Sequence, residues 1–228
     1  MLNAEEWVAL GLSLQVALVA TLVTLPFGVV IAYWLARTSS RMRWVVETLV
    51  SVPLVLPPVV TGFVLLMLFG RNGPVGRFLG EVFSVQVAFT WLGAALAAGV
   101  VSFPLMVRSI RLAFEGIDPR LELAAKTLSS GPIRTFCRVG LPLARRGIIA
   151  GCVLAFARSV GEFGATVMVA GNIPGETRTI PLAIYTTVQT PGGMEESWRL
   201  VVVCVVIAAI AMLASGWLSE RAGHGSDS

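Results

Sequence analysis

Ionisable side chains are scarce in this 228-residue sequence. Charged residues make up 13% of it, whereas they make up about a quarter of an ordinary soluble domain. The one histidine, His224, lies in a polar tail, which removes most histidine-based catalysis and metal binding. The three cysteines have no spacing typical of a metal site or a disulfide framework, so they are expected to be small buried apolar residues.

The sequence also lacks the phosphate-binding motif Gly-x-x-x-x-Gly-Lys-Ser/Thr, and its one lysine is Lys126. Because that motif cradles the phosphates of ATP in P-loop ATPases, the chain is not expected to bind and hydrolyse ATP in that way. An intramembrane serine protease needs a serine–histidine pair, and His224 lies outside every apolar run. The sequence therefore disfavours an enzyme.

Long apolar runs dominate what is present. Hydrophobic residues make up 56% of the chain and the mean hydropathy is +0.83, which predicts an all-α integral membrane protein with a single transmembrane domain over residues 1–228. A membrane-spanning helix needs about 20 apolar residues. Five runs are long enough, at 9–36, 45–69, 85–107, 147–170 and 199–218. The first follows an acidic start and is too long for a cleavable signal peptide, so it is interpreted as a retained span.

The distribution of basic residues predicts the orientation of the spans. Most of the 17 lysine and arginine residues fall in the segments 37–44 and 108–146, and cytoplasmic loops carry such an excess. The six tryptophans lie near the ends of the predicted spans, where indole rings prefer the membrane interface. We therefore expect the N-terminus outside the cell and the C-terminus in the cytoplasm.

Two stretches depart from a plain transmembrane helix. The second span contains Pro57 and Pro58 in the run PLVLPPVVTG. Proline kinks a helix, and a membrane tolerates this only where neighbours or water satisfy the freed carbonyls. We expect a broken or kinked helix packed at the centre of the bundle, and a kink with only a packing role fits the residues as well. The external segment Thr179–Val188 is apolar but too short to cross, which favours a re-entrant or interfacial segment.

The segment 108–146 is long for a loop and shows helical signals of its own. Asp118 is a good N-cap and Pro119 suits the first helical position. An apolar face follows at i, i+3, i+4 and i+7. It is formed by Leu121, Ala124, Ala125 and Leu128. These signals predict a short amphipathic helix at the cytoplasmic surface.

A second short helix is expected in the same segment. Residues 129–132 stop the first helix, Ile133 and Phe136 continue an apolar face, and Leu141 and Pro142 end the helix ahead of the fourth span. Amphipathic helices of this kind lie on anionic lipid, pack within their own chain or dock into a groove of a partner. The residues alone do not favour one of the three.

This segment resembles the EAA loop of importer-type ABC transporter permeases. That loop has Glu-Ala-Ala, three residues and Gly, and it closes about nine residues later with a Leu-Pro-like end. Ala124 and Ala125 match the two alanines, and Leu141-Pro142 matches the closing pair. Two positions depart from the pattern. Leu123 stands at the usual Glu position, with Glu122 one residue early, and Ser129 stands at the usual Gly.

The resemblance extends over nearly the whole chain. Three segments are similar to those of permease subunits of molybdate transporters, and similar segments occur in sulfate and tungstate permeases. They are PLVLPPVVTGF, LFGRNGPVG and FARSVGEFGATVMVAGNIPGETRTIPLAIYT. The resemblance implies an ATP-driven importer that passes an oxyanion, molybdate first, from an external binding protein to the cytoplasm by alternating access. The alternative substrates are tungstate, sulfate or another oxyanion. The alternative class of protein is an ATP-independent secondary transporter, which has no ATPase to dock.

The resemblance also implies partners and a location. The chain would lie in a bacterial or archaeal cytoplasmic membrane with a second copy of itself, two ATPase subunits that bind ATP and Mg, an external solute-binding protein and lipid. No cofactor in this chain and no nucleic acid are implied. In the family, the EAA loop forms the coupling helix that enters a cleft of the ATPase. That assigns coupling roles to Leu121, Glu122, Leu123, Ala124, Ala125, Leu128, Ser129, Pro132, Phe136, Leu141 and Pro142.

A charge pair lies inside the fourth predicted span. Arg158 and Glu162 are four residues apart and hence on one helix face. A lone charge at that depth is costly, and pairing lowers the cost. Two interpretations stay open, a structural ion pair that locks the span and a pathway or gate element that contacts the hydrated anion. The pathway candidates are Pro57, Pro58, Thr61, Arg158, Ser159 and Glu162.

Overall fold

The computed structural model describes residues 3–127 and 131–223, and helices account for the regular structure of these ranges. The predicted all-α fold is confirmed. The helices are α1 Ala4–Arg37, α2 Met42–Val55, α3 Pro58–Phe69, α4 Pro74–Phe83, α5 Trp91–Glu115, α6 Pro119–Thr127, α7 Pro132–Thr135, α8 Leu141–Val160, α9 Gly164–Ala170, α10 Ile180–Val188 and α11 Gly193–Gly223, and one π-turn, Phe136–Gly140, joins α7 to α8.

Within these ranges, four helical segments are long and apolar enough to cross a membrane alone. They are Ala4–Arg37, Trp91–Glu115, Pro132–Val160 and Gly193–Ala214. The pair α2 and α3 is long and apolar enough together, and its two halves meet at 111°. The five predicted spans therefore correspond to four single helical segments and one broken pair.

Contacts between the long helices fix their directions. Leu12 and Val16 of α1 share a buried cluster with Ala95 of α5, and farther along Leu35 shares another with Ile110. The helices α1 and α5 therefore run side by side in the same direction. The helix α8 runs the opposite way, since its first turns face the end of α5 and its last turn faces the middle of α5. The basic segments around residues 40, 117 and 140 consequently gather at one end of the bundle.

A row of small residues on α8 sets how closely it approaches α5. Gly147, Gly151, Ala155 and Ser159 are spaced by four and lie on one face. A Cβ on Gly151 would lie 3.0 Å from Ile110 Cγ1 and 3.2 Å from the Met106 carbonyl oxygen. Small residues at this spacing let helix backbones pack closely in a membrane, where dispersion forces replace the hydrophobic effect as the source of cohesion.

The variant Gly151→Leu is expected to destabilise the bundle, because the new side chain must push α8 away from the backbone of α5. Overpacking of this kind costs about 1–3 kcal/mol. The effect is measured by heating the detergent-solubilised chain and monitoring its unfolding through the exposure of the cysteine thiols. Gly80→Leu on α4 is the control, since a Cβ at Gly80 meets nothing within 4 Å. Equal unfolding midpoints for the two variants would contradict the packing argument.

Several helices have bounds that differ from those of the predicted spans. The helix α5 ends at Glu115, beyond the predicted 107, and the helical segment that contains the fourth span begins at Pro132, ahead of the predicted 147. Hydropathy falls at Arg108, but the helix continues because Arg111 Nε lies 2.7 Å from Glu115 Oε1 on the same face. At its other end, α5 begins at Trp91 instead of 85, since the chain before it has a positive φ of 58° at Phe89.

The expected helix end at Leu141-Pro142 is also wrong, and the helix runs on from Pro132 to Val160. The π-turn explains how the proline is accommodated. The Leu141 backbone N–H donates to the Phe136 carbonyl, five residues earlier. Because a π-turn relaxes the i to i−4 pattern just before Pro142, the missing N–H and the ring of the proline do not break the helix.

The short apolar segment predicted at Thr179–Val188 is a nine-residue helix, α10. Its first residue, Ile180, is buried and donates its backbone N–H to Ser13 Oγ of α1 at 2.7 Å. Leu182 is also buried. The helix is too short to cross a membrane, and its amino end lies against the third turn of α1.

Candidate functional site

Two helix breaks lie against each other. One separates α2 from α3 at Leu56-Pro57, and the other separates α8 from α9 at 161–163. Directly beyond the breaks, a Cβ on Gly164 would lie 2.9 Å from Pro58 Cβ, and a Cβ on Gly62 would lie 2.8 Å from Ala165 Cα. Residues 56–62 and 158–165 form what we call the helix-break junction. The six pathway candidates predicted from the sequence all lie in it.

The break between α2 and α3 matches the proline prediction, but its expected place at the centre of the bundle is wrong for the single chain. No residue of α2 is buried, and α3 buries only Thr61, Gly62 and Leu65. Each half keeps its own helical hydrogen bonds up to the break, since the Leu56 N–H donates to the Val52 carbonyl and the Thr61 N–H to the Pro57 carbonyl.

Glu162 is held firmly at the second break. Its side chain is 2% exposed, and its Oε1 accepts the Ala165 backbone N–H at 2.9 Å. This carboxylate thereby caps the first turn of α9, where its charge also complements the helix dipole. Its other oxygen, Oε2, lies 2.8 Å from Arg158 Nη1. That contact is an ion pair without hydrogen-bond alignment, because Oε2 has no hydrogen-bond partner among the described residues.

The expectation that this pair shares one continuous helix is wrong. The helix α8 ends at Val160, between the two charged residues. They still meet because Gly161, with φ −87° and ψ 6°, forms a tight turn in which the Glu162 N–H donates to the Ser159 carbonyl. The charged pair therefore bridges a helix end instead of lying on a helix face.

Arg158 lies deep within the bundle but is not fully covered. Its neighbour Ser159 donates to Ser102 Oγ of α5 at 3.1 Å. Ser102 follows Trp91, the first residue of α5, by about 16 Å of helix. At such a depth a charged group facing lipid is costly, yet 31% of the Arg158 side chain is exposed. We expect the exposed part of the guanidinium to face water or a second protein surface.

Thr61 is the other unusual polar residue of the junction. Its side chain is buried, and its Oγ1 makes no hydrogen bond within residues 3–127 and 131–223. The surrounding face of α3 is apolar and exposed. It comprises Val59, Val60, Phe63, Val64, Met67 and Leu68. The junction thus lies at the edge of a large apolar surface.

A network of ion pairs that the sequence did not predict joins α2 to α5 at the basic end. Arg111 Nη1 lies 2.7 Å from Glu47 Oε1, and Arg43 Nη2 lies 3.0 Å from Glu115 Oε1, which also contacts Arg111. Of these contacts, only the one between Arg111 and Glu115 has a signal in the sequence, their spacing of four residues. Beside the network, a groove of about 300 Å³ between α2 and α5 is lined in part by Ser51. These pairs hold the first half of the broken span in place.

The predicted coupling residues of α6 face away from their own chain. Leu121, Leu123 and Ala124 are exposed, and Ala125 is half-buried. Glu122 is in α6 with its side chain not described, and Leu128 and Ser129 lie outside the described residues. Exposed leucines at the basic end of the bundle are suited to cover by another protein.

The predicted coupling residue Phe136 has a different position. Its ring lies 4.7 Å from that of Tyr33 in α1 and 6.2 Å from that of Phe114 in α5, centroid to centroid. Leu141 is half-buried near the same cluster, whereas Pro132 and Pro142 are exposed. Phe136 therefore connects α7 to α1 and α5 as well as to α8. Sequence spacing gave no signal for Tyr33 and Phe114, which are distant in the chain.

Comparison with known sequences places the chain among transport proteins. It matches the family described as "Binding-protein-dependent transport system inner membrane component" over residues 24–223. It is 51% identical over 228 residues to the molybdenum transport system permease protein ModB of Escherichia coli K12, covering 98% of this chain and 100% of that protein. It is 47% identical over 213 residues to ModB of Haemophilus influenzae, covering 93% of each chain.

Solved structures share the fold at low sequence identity. A chain of the MetNI methionine ABC transporter in an inward-facing conformation matches with a TM-score of 0.66 and 15% identity, covering 95% of this chain and 94% of that one. A chain of a bacterial alginate ABC transporter, solved in complex with an alginate-bound periplasmic protein, matches with a TM-score of 0.68 and 15% identity, covering 99% and 81%. At this identity the likeness concerns the fold alone.

Proposed function

Because this chain belongs to the family of binding-protein-dependent transport system inner membrane components, we propose that it is the permease subunit of an ABC importer for molybdate. It is a multi-pass membrane protein and a translocation subunit, not an enzyme. The observation that carries the proposal is the 51% identity to ModB of Escherichia coli over nearly the full length of both chains. Tungstate and sulfate are the competing substrates.

The proposed assembly contains two copies of this chain, two ATPase subunits and an external binding protein, with the N-terminus outside the cell. Two features of the junction support a second copy. The exposed part of Arg158 requires a neighbour or water at membrane depth, and the α3 face around Phe63 is apolar and exposed. A two-fold axis beside the junction satisfies both, since it places the same face of each copy around one shared pathway.

The proposed docking site for the ATPase is α6, with its exposed Leu121 and Leu123. The segment Pro132–Val160 is helical over 29 residues, which is about 43 Å of helix. It leads from the cytoplasmic end directly to Arg158. A displacement of α6 and α7 would therefore reach the junction through one continuous helix, and through Phe136 it would reach α1 and α5.

In this account the helix-break junction is the gate of the pathway. Broken helices near the membrane midplane place polar groups and backbone ends where a solute passes, and they allow the two halves to move separately. Pro57, Pro58 and Thr61 form one side of the gate, and Arg158, Ser159 and Glu162 the other. A purely structural ion pair is the alternative role for Arg158 and Glu162.

Competition for uptake tests the proposed substrate. Cells that lack their own high-affinity molybdate uptake are supplied with this permease, its ATPase and its binding protein, and accumulation of labelled molybdate is followed. Excess tungstate should compete strongly and sulfate weakly, because the binding protein selects the anion. Accumulation of labelled sulfate without accumulation of molybdate would assign the chain to sulfate import.

Phe136→Ala is expected to weaken the coupling between ATP hydrolysis and transport. Loss of the ring removes the contacts with Tyr33 and Phe114, so movement of α7 would reach α1 and α5 less directly. The ratio of molybdate transported to ATP hydrolysed in proteoliposomes should fall several-fold. Phe78→Ala on the exposed face of α4 is the matched control. An unchanged ratio in Phe136→Ala would exclude this route.

A further inference from the structure

The guanidinium of Arg158 is only partly used by its own chain. It carries five N–H donors, and in the part of the chain that the structure describes its one ionic partner is Glu162 Oε2, at Nη1. That contact lacks hydrogen-bond alignment. A charged group with unused donors, partly exposed at membrane depth, is unusual, because such groups normally find full pairing.

The two partners differ in freedom. Glu162 is 2% exposed and is fixed by the Ala165 N–H at 2.9 Å. Arg158 has a long side chain that is 31% exposed. When the pair separates, the carboxylate therefore stays with α9 and the guanidinium moves. The junction holds a fixed negative charge beside a mobile positive one.

We propose that Arg158 binds the translocated oxyanion directly and that Glu162 is the resident counter-ion which the oxyanion displaces. The proposal rests on the proposed function and deepens it. A tetrahedral oxyanion offers two oxygens to the guanidinium fork and matches it better than the single unaligned contact with Glu162. No covalent bond forms or breaks, and one ion pair replaces another.

The fixed carboxylate explains how the anion is released. A pathway site must attract an ion enough for entry and hold it weakly enough for departure. An arginine without a competitor would retain a divalent oxyanion. Glu162 remains beside the site throughout and recovers Arg158 when the anion moves on. The pair thus provides binding and release in one step of exchange.

Two substitutions separate the roles of the pair. Glu162→Gln keeps an oxygen that accepts the Ala165 N–H, so the cap of α9 is retained, but it removes the competing negative charge. Arg158→Gln removes the guanidinium that binds the anion. The matched controls are Glu81→Gln and Arg77→Gln on α4, which change the same charges away from the junction. Comigration with the ATPase in gel filtration checks that each variant assembles.

The test measures equilibrium binding of labelled molybdate and tungstate to the permease–ATPase complex in nanodiscs, without the binding protein, whose own anion site would mask the signal. Glu162→Gln should bind the anion tighter than wild type by at least about tenfold, the effect expected of one charged partner, and its uptake should be slower because release is slowed. Arg158→Gln should show neither binding at this site nor normal uptake. The α4 controls should match wild type.

The proposal requires that Glu162→Gln binds the anion more tightly than wild type and that Arg158→Gln binds it more weakly. Any other order of affinities overturns it, including equal binding by Glu162→Gln and wild type. Undiminished uptake by Arg158→Gln also overturns it. If Arg158→Gln fails to assemble, the comparison of Glu162→Gln with wild type decides alone. Failure of the proposed function has a different signature. In that case the wild-type complex with its binding protein imports no molybdate, whatever the binding data show.

Discussion

Leu121→Asp is expected to abolish ATP-driven uptake while leaving the membrane bundle folded. Leu121 lies on α6 with half of its side chain exposed, so its own chain loses little packing. The proposed interface with the ATPase loses an apolar contact and gains a charge that must be desolvated. Substitutions at the centre of an interface cost about 2–4 kcal/mol, which lowers the affinity between permease and ATPase about a hundredfold.

Co-purification of a tagged ATPase with the permease measures this effect, alongside uptake by cells that carry the variant. Val82→Asp is the matched control, because Val82 is an exposed apolar residue of α4, outside the proposed interface. Its ATPase should co-purify normally. An intact complex and normal uptake in Leu121→Asp would show that α6 is not the docking site.

Glu162→Ala is expected to be the most destabilising single substitution at the junction. It removes the cap of α9 and leaves the Arg158 guanidinium without its partner, at a depth where an unpaired charge is costly. The lost cap and the unpaired charge together cost about 3 kcal/mol. Glu162→Gln retains the cap and should lose much less stability. Glu81→Ala on α4 should be neutral.

Thermal unfolding of the three variants in detergent distinguishes the two contributions. A large loss in Glu162→Ala with a small loss in Glu162→Gln would locate the stabilisation in the capping hydrogen bond to Ala165. Equal losses in both would locate it in the ion pair. Wild-type stability in Glu162→Ala would contradict a structural role for this carboxylate altogether.

Local chemistry in the sequence predicted the separate parts of the junction. Consecutive prolines at 57 and 58 predicted a break, because neither can donate a helical hydrogen bond. The spacing of Arg158 and Glu162 predicted that they meet. The contact of one break with the other could not be predicted, since it depends on close backbone approaches at Gly62 and Gly164 across about a hundred residues of chain.

The basic end of the bundle shows where hydropathy misleads. The apolar windows ended at Arg108, but ion pairs with Glu47 and Glu115 carry α5 onward at the protein surface. Pro142 is a helix breaker by local rules, and the π-turn before it lets the helix continue. Both errors shortened the predicted helices. The observed continuity from Pro132 to Val160 supports a single connection between the basic end of the bundle and the junction.

Phe136 illustrates a second limit. The resemblance to the EAA loop placed it among the coupling residues, and its spacing from Ile133 suggested that the two share an apolar face. In the structure Ile133 is exposed while the Phe136 ring contacts Tyr33 and Phe114. The partners of an aromatic ring are set by the packing of α1 and α5, which the sequence of α7 does not contain.

The central claim is that this chain conducts molybdate only when a partner ATPase hydrolyses ATP. The most direct test is uptake of labelled molybdate into proteoliposomes that contain the permease and its ATPase, with the binding protein outside and nucleotide inside. We predict uptake with MgATP and no uptake with a non-hydrolysable ATP analogue, and an ion gradient across the membrane should change neither result. Uptake driven by a proton or sodium gradient without ATP would contradict the account and identify a secondary transporter.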